Sequence, residues 1–280
     1  MKVVAGRASA VLGSRVADVI EADLALTEFA LFPDAELYTR VVDDLVGDEV
    51  VIVQSTPTDT DFICLLQLID ACEGASRISV VIPYFGYARQ DKRFKMGEAV
   101  TARALAGTIE ADRIFTINIH DQNVINYFKS KACDLDAAPV IGSYISSLNL
   151  KNPVVIAPDD GAKELAKAVA SEEGLSWNWL KKKRIDADTV VIDDKDLDVE
   201  GRDVVIVDDI ISSGGTIMEA ARILKQNGAG AIYAGCVHGV FVKNAILRLK
   251  KAGIIPFSTD TIESITSSMS VAECIGASII

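Results

Sequence analysis

The chain has 280 residues, 50% of them apolar and 24% charged, enough to bury one large or two medium cores. A net charge of −12 argues against general nucleic-acid binding, and no apolar run approaches the length of a membrane-spanning helix. Arg7 and Arg15 interrupt the apolar amino-terminal stretch, against a secretory signal, and five scattered cysteines without a C-x-x-C pair point to a reducing cytoplasm.

The predicted elements alternate along the chain. Residues 2–5 predict a strand, and 9–20 a helix capped by Ser9. Residues 24–41 alternate like strands but are broken at 32–36, where Pro33 bars a central strand and predicts a loop. A buried strand at 50–53, an amphipathic helix at 58–72 and a strand at 78–82 follow. Then come a helix at 101–111, a strand at 114–119, a helix from Asp121 through Phe128 and another at 140–150. The pattern restarts with a strand at 154–157 and a helix at 161–171. Strands at 190–192 and 204–207, a helix at 216–226, a strand at 231–237, a helix at 242–251 and a last strand at 254–257 complete it. Such alternation calls for mostly parallel sheets flanked by helices. The expected architecture is α/β in two similar domains, 1–145 and 146–280, with a single continuous sheet as the alternative.

The chain is organised around residues 204–221, VVIVDDIISSGGTIMEAA. An apolar run fit for a strand buried on both faces leads into Asp208 and Asp209. A loop of hydroxyls and glycines follows (Ser212, Ser213, Gly214, Gly215, Thr216), and then a helical pattern. Unpaired backbone N–H groups in such a turn suit a phosphate. The loop has neither the lysine of a Walker motif nor a G-x-G-x-x-G fingerprint. Carboxylates beside a phosphate cradle repel the phosphate, so they reach for sugar hydroxyls or a metal on the same ligand. A ribose 5-phosphate satisfies both demands; the bland alternative is a strand end with solvated acids.

Three other segments carry candidate chemistry. In residues 83–102, Arg89, Lys92, Arg93 and Lys95 could neutralise a polyphosphate, and Gln90 and Asp91 could read a base or orient a metal-bound water; a solvated basic loop fits equally well. APDDGAKELA repeats the strand–acid pair–glycine–helix design, with Asp160 placed to cap the helix. WNWLKKKR reads by default as a strand end with snorkelling lysines.

The 204–221 stretch resembles the phosphoribosyl-diphosphate motif of the type I phosphoribosyltransferase fold. Taken with FGYARQDKR, the chain is similar to the ribose-phosphate diphosphokinases over essentially its whole length. That resemblance implies two phosphoribosyltransferase-like domains. It also implies transfer of the diphosphoryl group of MgATP to the 1-hydroxyl of ribose 5-phosphate, giving 5-phosphoribosyl 1-diphosphate and AMP.

By the same resemblance, Phe32, Asp34 and Glu36 hold adenine, in a loop supplied by a neighbouring subunit of a homodimer or higher oligomer. Arg89, Gln90 and Asp91 contact ATP. His120 of NIHD and Asp159 contact Mg2+, although imidazole is an unusual magnesium ligand and would act through water or on the nucleotide. Lys182 and Arg184 match a catalytic K-x-R, with Lys181 and Lys183 leaving the register open by one residue. Arg184, Asp208, Asp209, Ser212, Ser213, Gly214, Gly215 and Thr216 bind ribose 5-phosphate. The chain departs from the family pattern at Ala35, where glycine is usual, and at Asp121-Gln122. A phosphoribosyltransferase or a non-catalytic regulatory homologue on the same fold is the alternative. The intact KKKR argues against the latter.

Overall fold

The structure, a computed structural model, describes residues 1–184, 190–193 and 197–280, with side chains for all of these except 182–184 and 190–193. In chain order the elements begin with β1 (Lys2–Ala5), α1 (Ala10–Val19), β2 (Asp23–Ala25), β3 (Thr27–Leu31), β4 (Leu37–Val41) and β5 (Glu49–Val53). Next come α2 (Asp59–Ala71), β6 (Arg77–Ile82), α3 (Thr101–Ala106), β7 (Arg113–Ile117), a 3-10 turn over Gln122–Tyr127, β8 (Lys131–Leu135) and α4 (Ala138–Ser147). Then follow β9 (Val154–Ala157), α5 (Lys163–Glu172), β10 (Ser176–Trp179), β11 (Lys181–Arg184), β12 (Val190–Asp193), β13 (Val204–Ile211) and α6 (Gly215–Gln226). The chain ends in β14 (Ile232–Gly239), α7 (Ala245–Lys251), β15 (Ile254–Thr259), β16 (Ser267–Met269) and α8 (Ala272–Ile279).

Two compact units result: residues 1–136 with 261–263 and 270–280, and residues 137–260 with 264–269. The first holds a six-stranded parallel sheet in the order β2-β1-β5-β6-β7-β8, and the second one in the order β10-β9-β13-β14-β15-β16. Numbering only these six strands within each unit, both sheets run 2-1-3-4-5-6. Each unit also inserts an antiparallel hairpin between its second and third sheet strands, β3–β4 in one and β11–β12 in the other. The two domains expected from the sequence are therefore similar in topology.

The apolar runs explain the central strands. Val50–Val53 and Val204–Val207 are buried throughout, because helices cover both faces of a parallel sheet. Separate cores form around Leu65, Leu68, Ile82 and Ile114 in the first unit, and around Ile156, Leu180, Ile206 and Leu224 in the second. Strand order reverses between β1 and β5, and again between β9 and β13. At such a point the loops leaving two adjacent strands diverge and open a crevice at their carboxyl ends.

Several expectations are corrected. The helix expected over 101–111 stops at Ala106, capped by Gly107, and the one expected from Asp121 is a 3-10 turn with the Asp121 side chain accepting from the Asn123 N–H. Strand β13 runs four residues past Val207. Residues 254–257 are not the last strand, since β16 and α8 follow. Helix α4 spans the expected boundary at 145/146 and belongs to the second unit, whereas α8 packs against α1 in the first. That contact depends on a glycine: a Cβ at Gly276 would stand 2.4 Å from Val19 Cγ1. Gly276→Val should cost about 1–3 kcal/mol through overpacking and lower the melting temperature by circular dichroism. An unchanged melting temperature would contradict this packing.

Candidate active site

In the second unit β13 carries Asp208 and Asp209 to the reversal point, and Ser212, Ser213 and Gly214 make a short turn into α6. Gly214 sits in the left-handed region at φ +74° as the residue before the helix, which only glycine adopts without strain. Gly215 and Thr216 are the first helical residues, so their N–H groups lie in the unsatisfied first turn of a 12-residue helix. Arg248 of α7, which the sequence reading missed, donates to the Ser213 carbonyl at 3.2 Å and fixes the turn from outside. Nothing in the surrounding AILRLKK distinguishes it as part of a site.

Asp208 and Asp209 are half-buried neighbours. The Asp209 N–H donates to Asp208 Oδ1 at 3.0 Å and the Ile210 N–H to Asp209 Oδ1 at 2.8 Å. Burial, followed by repulsion from Asp209 and more weakly from Asp159, pushes the Asp208 carboxyl up to about 8. Asp159 follows β9, the other strand at the reversal, and accepts from the Gly161 N–H at 3.0 Å. The three acids thus stand together where a ligand bearing hydroxyls or a cation would relieve their crowding.

Asp160 does not cap α5. The residue before that helix is Ala162, without a side-chain cap, and Asp160 Oδ1 accepts from the indole N–H of Trp179 at 3.0 Å. The Gly161–Ala162 insertion moves the helix start too far along for Asp160 to reach it. Lys182 and Arg184 lie in β11, which pairs antiparallel with β12. Their side chains fall outside the described residues.

In the first unit Arg89 and Gln90 are exposed, whereas Asp91 is buried. Gln90 Oε1 accepts from the Thr101 hydroxyl at 2.6 Å, Tyr127 donates to the Asp91 carbonyl at 2.9 Å, and Lys92 lies 3.5 Å from the Asp91 carboxylate. The Asn123 N–H chiefly, and the neighbouring Asp91 side chain more weakly, hold the Asp121 carboxyl below its ordinary value. Two segments read separately in the sequence, RQD and NIHD, are thereby brought together.

His120 itself is exposed, on a turn held by Asp134 of β8. The Asp134 carboxylate accepts from Thr116 Oγ1 at 2.5 Å, the Ile119 N–H at 3.0 Å and Gln122 Nε2 at 2.5 Å. Burial raises its pKa despite these donors. Asp134 was missed because β8, KACDL, gives no apolar run. His120 belongs to the first unit and Asp159 to the second.

Phe32, Asp34 and Glu36 sit at the exposed tip of the β3–β4 hairpin. The Phe32 N–H donates to the Glu36 carbonyl at 2.9 Å, the Ala35 N–H to the Phe32 carbonyl at 2.9 Å, and the Phe32 ring stands edge-on to Tyr38 at 5.9 Å. Ala35, where the family pattern has glycine, keeps the left-handed conformation at φ +70°.

Comparison with known proteins covers both units. Family models for the N-terminal domain of ribose phosphate pyrophosphokinase and for the phosphoribosyl transferase domain match residues 1–112 and 125–265. A ribose-phosphate pyrophosphokinase of Methanosarcina acetivorans is 52% identical over 276 residues, covering 98% of each chain. Ribose-phosphate pyrophosphokinase 2 of Archaeoglobus fulgidus is 45% identical over the full length of both chains. The crystal structure of phosphoribosylpyrophosphate synthetase from Mycobacterium smegmatis superposes with a TM-score of 0.85 at 26% identity, covering 99% of this chain and 97% of that one.

Two outcomes follow from the geometry. The folded chain holds the Asp208 proton to about pH 8, whereas the unfolded chain releases it near 3.8, so this group subtracts stability as pH rises between those values. Asp208→Asn should therefore raise the melting temperature of the ligand-free protein at pH 8.5 by more than at pH 4.5; a pH-independent difference would contradict the assignment. Ala35→Gly should stabilise the hairpin tip by about 1 kcal/mol by relieving the left-handed alanine, read by hydrogen exchange at residues 32–37. Unchanged protection would count against that strain.

Proposed function

The chain belongs to the ribose-phosphate pyrophosphokinase family, and we propose that it transfers the diphosphoryl group of MgATP to the 1-hydroxyl of ribose 5-phosphate, releasing AMP. The observation that carries this reading is the acid pair and left-handed glycine turn between β13 and α6. Ser212, Ser213, Gly214, Gly215 and Thr216 bind the 5-phosphate through the turn and the helix start. Asp208 and Asp209 accept hydrogen bonds from the 2- and 3-hydroxyls, so one ligand meets both the anion cradle and the carboxylates beside it. The two units divide the substrates, with the nucleotide on the first (residues 1–136 with 261–263 and 270–280) and the sugar phosphate on the second (residues 137–260 with 264–269).

ATP binds through Arg89, whose fork suits phosphate oxygens, with Gln90 and the buried Asp91 ordering the segment around it. Phe32, Asp34 and Glu36 hold the adenine of a neighbouring subunit in a homodimer or larger homo-oligomer. The exposure of this tip supports that role. The five free cysteines accord with work in a reducing cytoplasm.

Among the described residues no three His, Cys, Asp or Glu side chains converge on a metal position. Mg2+ is commonly held by one or two carboxylates together with substrate phosphates and water, so this donor set fits an ion that arrives with the nucleotide. In the second unit Asp159 would hold such an ion directly; in the first unit His120 would act through water or on the nucleotide. When bound, the ion neutralises charge on the phosphate oxygens.

The remaining work is positioning and electrostatics. The 1-hydroxyl attacks the β-phosphorus in line, its oxygen forms the new P–O bond while its proton passes to solvent, and the bond from the β-phosphorus to the bridging oxygen breaks to release AMP. The cations of Lys182 and Arg184 offset charge on the non-bridging and departing oxygens, and Arg184 also steadies ribose 5-phosphate. Purified protein given ATP, magnesium and ribose 5-phosphate should release AMP only when all three are present. Lys182→Ala should lower kcat by about 100-fold or more. AMP release that ignores ribose 5-phosphate, or Lys182→Ala with full activity, would overturn the assignment.

A further inference from the structure

The junction between the second sheet and the β11–β12 hairpin is held by a cluster that neither the acid turns nor the phosphate cradle explains. Strand β10 is the edge of its sheet, and Trp179, its last residue, pairs with Ala157 at the end of β9. The next residue, Leu180, is fully buried and its N–H donates to the Ala157 carbonyl at 3.0 Å. The backbone is therefore tied to the sheet up to residue 180 and leaves it at Lys181.

The Trp179 side chain occupies that exit. Its N–H donates to Asp160, in the turn that carries Asp159, and its ring lies against Trp177 at 5.8 Å with 23° between the planes. Two ammonium groups stand over the same ring, Lys163 at 4.3 Å and Lys181 at 4.6 Å. Both distances lie within the range where the ring quadrupole attracts a cation. Lys163 is the first residue of α5, where the helix dipole disfavours a positive charge, so the ring gives this ammonium a compensating partner. Lys181 is the first residue of β11, one step before Lys182 and three before Arg184. Trp179 thus joins the Asp159–Asp160 turn, the start of α5 and the start of the hairpin.

From this arrangement we infer that Trp179 is a positioning residue. Its ring, fixed by Asp160, gathers Lys163 and Lys181 and sets the direction in which β11 carries Lys182 and Arg184 away from the sheet. The inference rests on the catalytic reading of Lys182 and Arg184. It touches neither the turn at Ser212–Thr216 nor the Arg89 segment, so its loss should act mainly on turnover, with ribose 5-phosphate affinity changed only as far as Arg184 contributes to it.

The test is steady-state AMP release by the full-length protein with ATP, magnesium and ribose 5-phosphate, run beside Lys182→Ala and Arg184→Ala. Trp179→Ala should lower kcat about tenfold or more while KM for ribose 5-phosphate rises no further than it does in Arg184→Ala. Trp179→Phe, which keeps an aromatic face for both ammonium groups, should hold kcat within about threefold of the parent. Wild-type kcat in Trp179→Ala, or an equal loss in both Trp179 variants, overturns the inference. If Trp179→Ala does not fold by circular dichroism, Lys163→Met decides: a drop in kcat of about threefold or more supports the inference and an unchanged kcat overturns it. Should Lys182→Ala and Arg184→Ala both retain full turnover, the catalytic reading fails and this inference with it. Should they be inactive while Trp179→Ala is normal, only this inference fails.

Discussion

The second unit depends on a repulsion placed at a strand end. Asp208 and Asp209 are consecutive and half-buried, with Asp159 across the reversal point; burial first, and repulsion from Asp209 and Asp159 after it, raise the Asp208 pKa and weaken the ligand-free fold as pH rises. A protein keeps such a pair where a ligand relieves it, because the cost recurs in every unliganded molecule. The relief cannot be a phosphate at the acids themselves. It must come from hydroxyl donors or a cation, with phosphate displaced one turn onward, where Gly214 frees the start of α6. On the proposed reading, the stretch from Asp208 to Thr216 takes a ligand bearing vicinal hydroxyls at one end and a phosphate at the other.

The first unit shows what the same topology becomes without that pair. Its reversal point lies between β1 and β5, and β5 is followed by Gln54 and Ser55 where β13 carries Asp208 and Asp209. Gln54 is fully buried, accepts from the Ala8 N–H at 3.1 Å and donates to the Asp61 carbonyl at 3.1 Å. Ser55 donates to the Thr261 carbonyl at 2.5 Å. A Cβ at Gly6 would fall 2.0 Å from Gln54 Oε1, so the crevice is filled by the unit's own polar groups. The candidate nucleotide residues lie elsewhere in this unit: on the hairpin, after β6 and after β7. Two copies of one sheet thus diverge through a few residues at equivalent strand ends.

Much of this was legible in the sequence because the central strands are continuous apolar runs and the two main site turns follow them directly. The 204–221 stretch announced strand, acids, turn and helix in order, and Pro33 marked the hairpin tip. The edges were not legible. Strands β8 and β10 read KACDL and SWNW, too polar for a core pattern, yet they supply Asp134 and Trp179, which hold the His120 turn and the hairpin exit. Asp160 looked like a cap because an acid before a helical pattern usually is one. The indole that captures it lies 19 residues away, a separation that no local pattern encodes.

The most direct test of the acid pair and its turn is calorimetric titration of the protein with ribose 5-phosphate and with its 2-deoxy analogue. Both keep the phosphate, and only the first offers the 2-hydroxyl to the carboxylates. Loss of a hydrogen bond to a charged partner should weaken the deoxy sugar about tenfold or more. Equal affinity for the two sugars would contradict the assignment of Asp208 and Asp209 to the ribose hydroxyls.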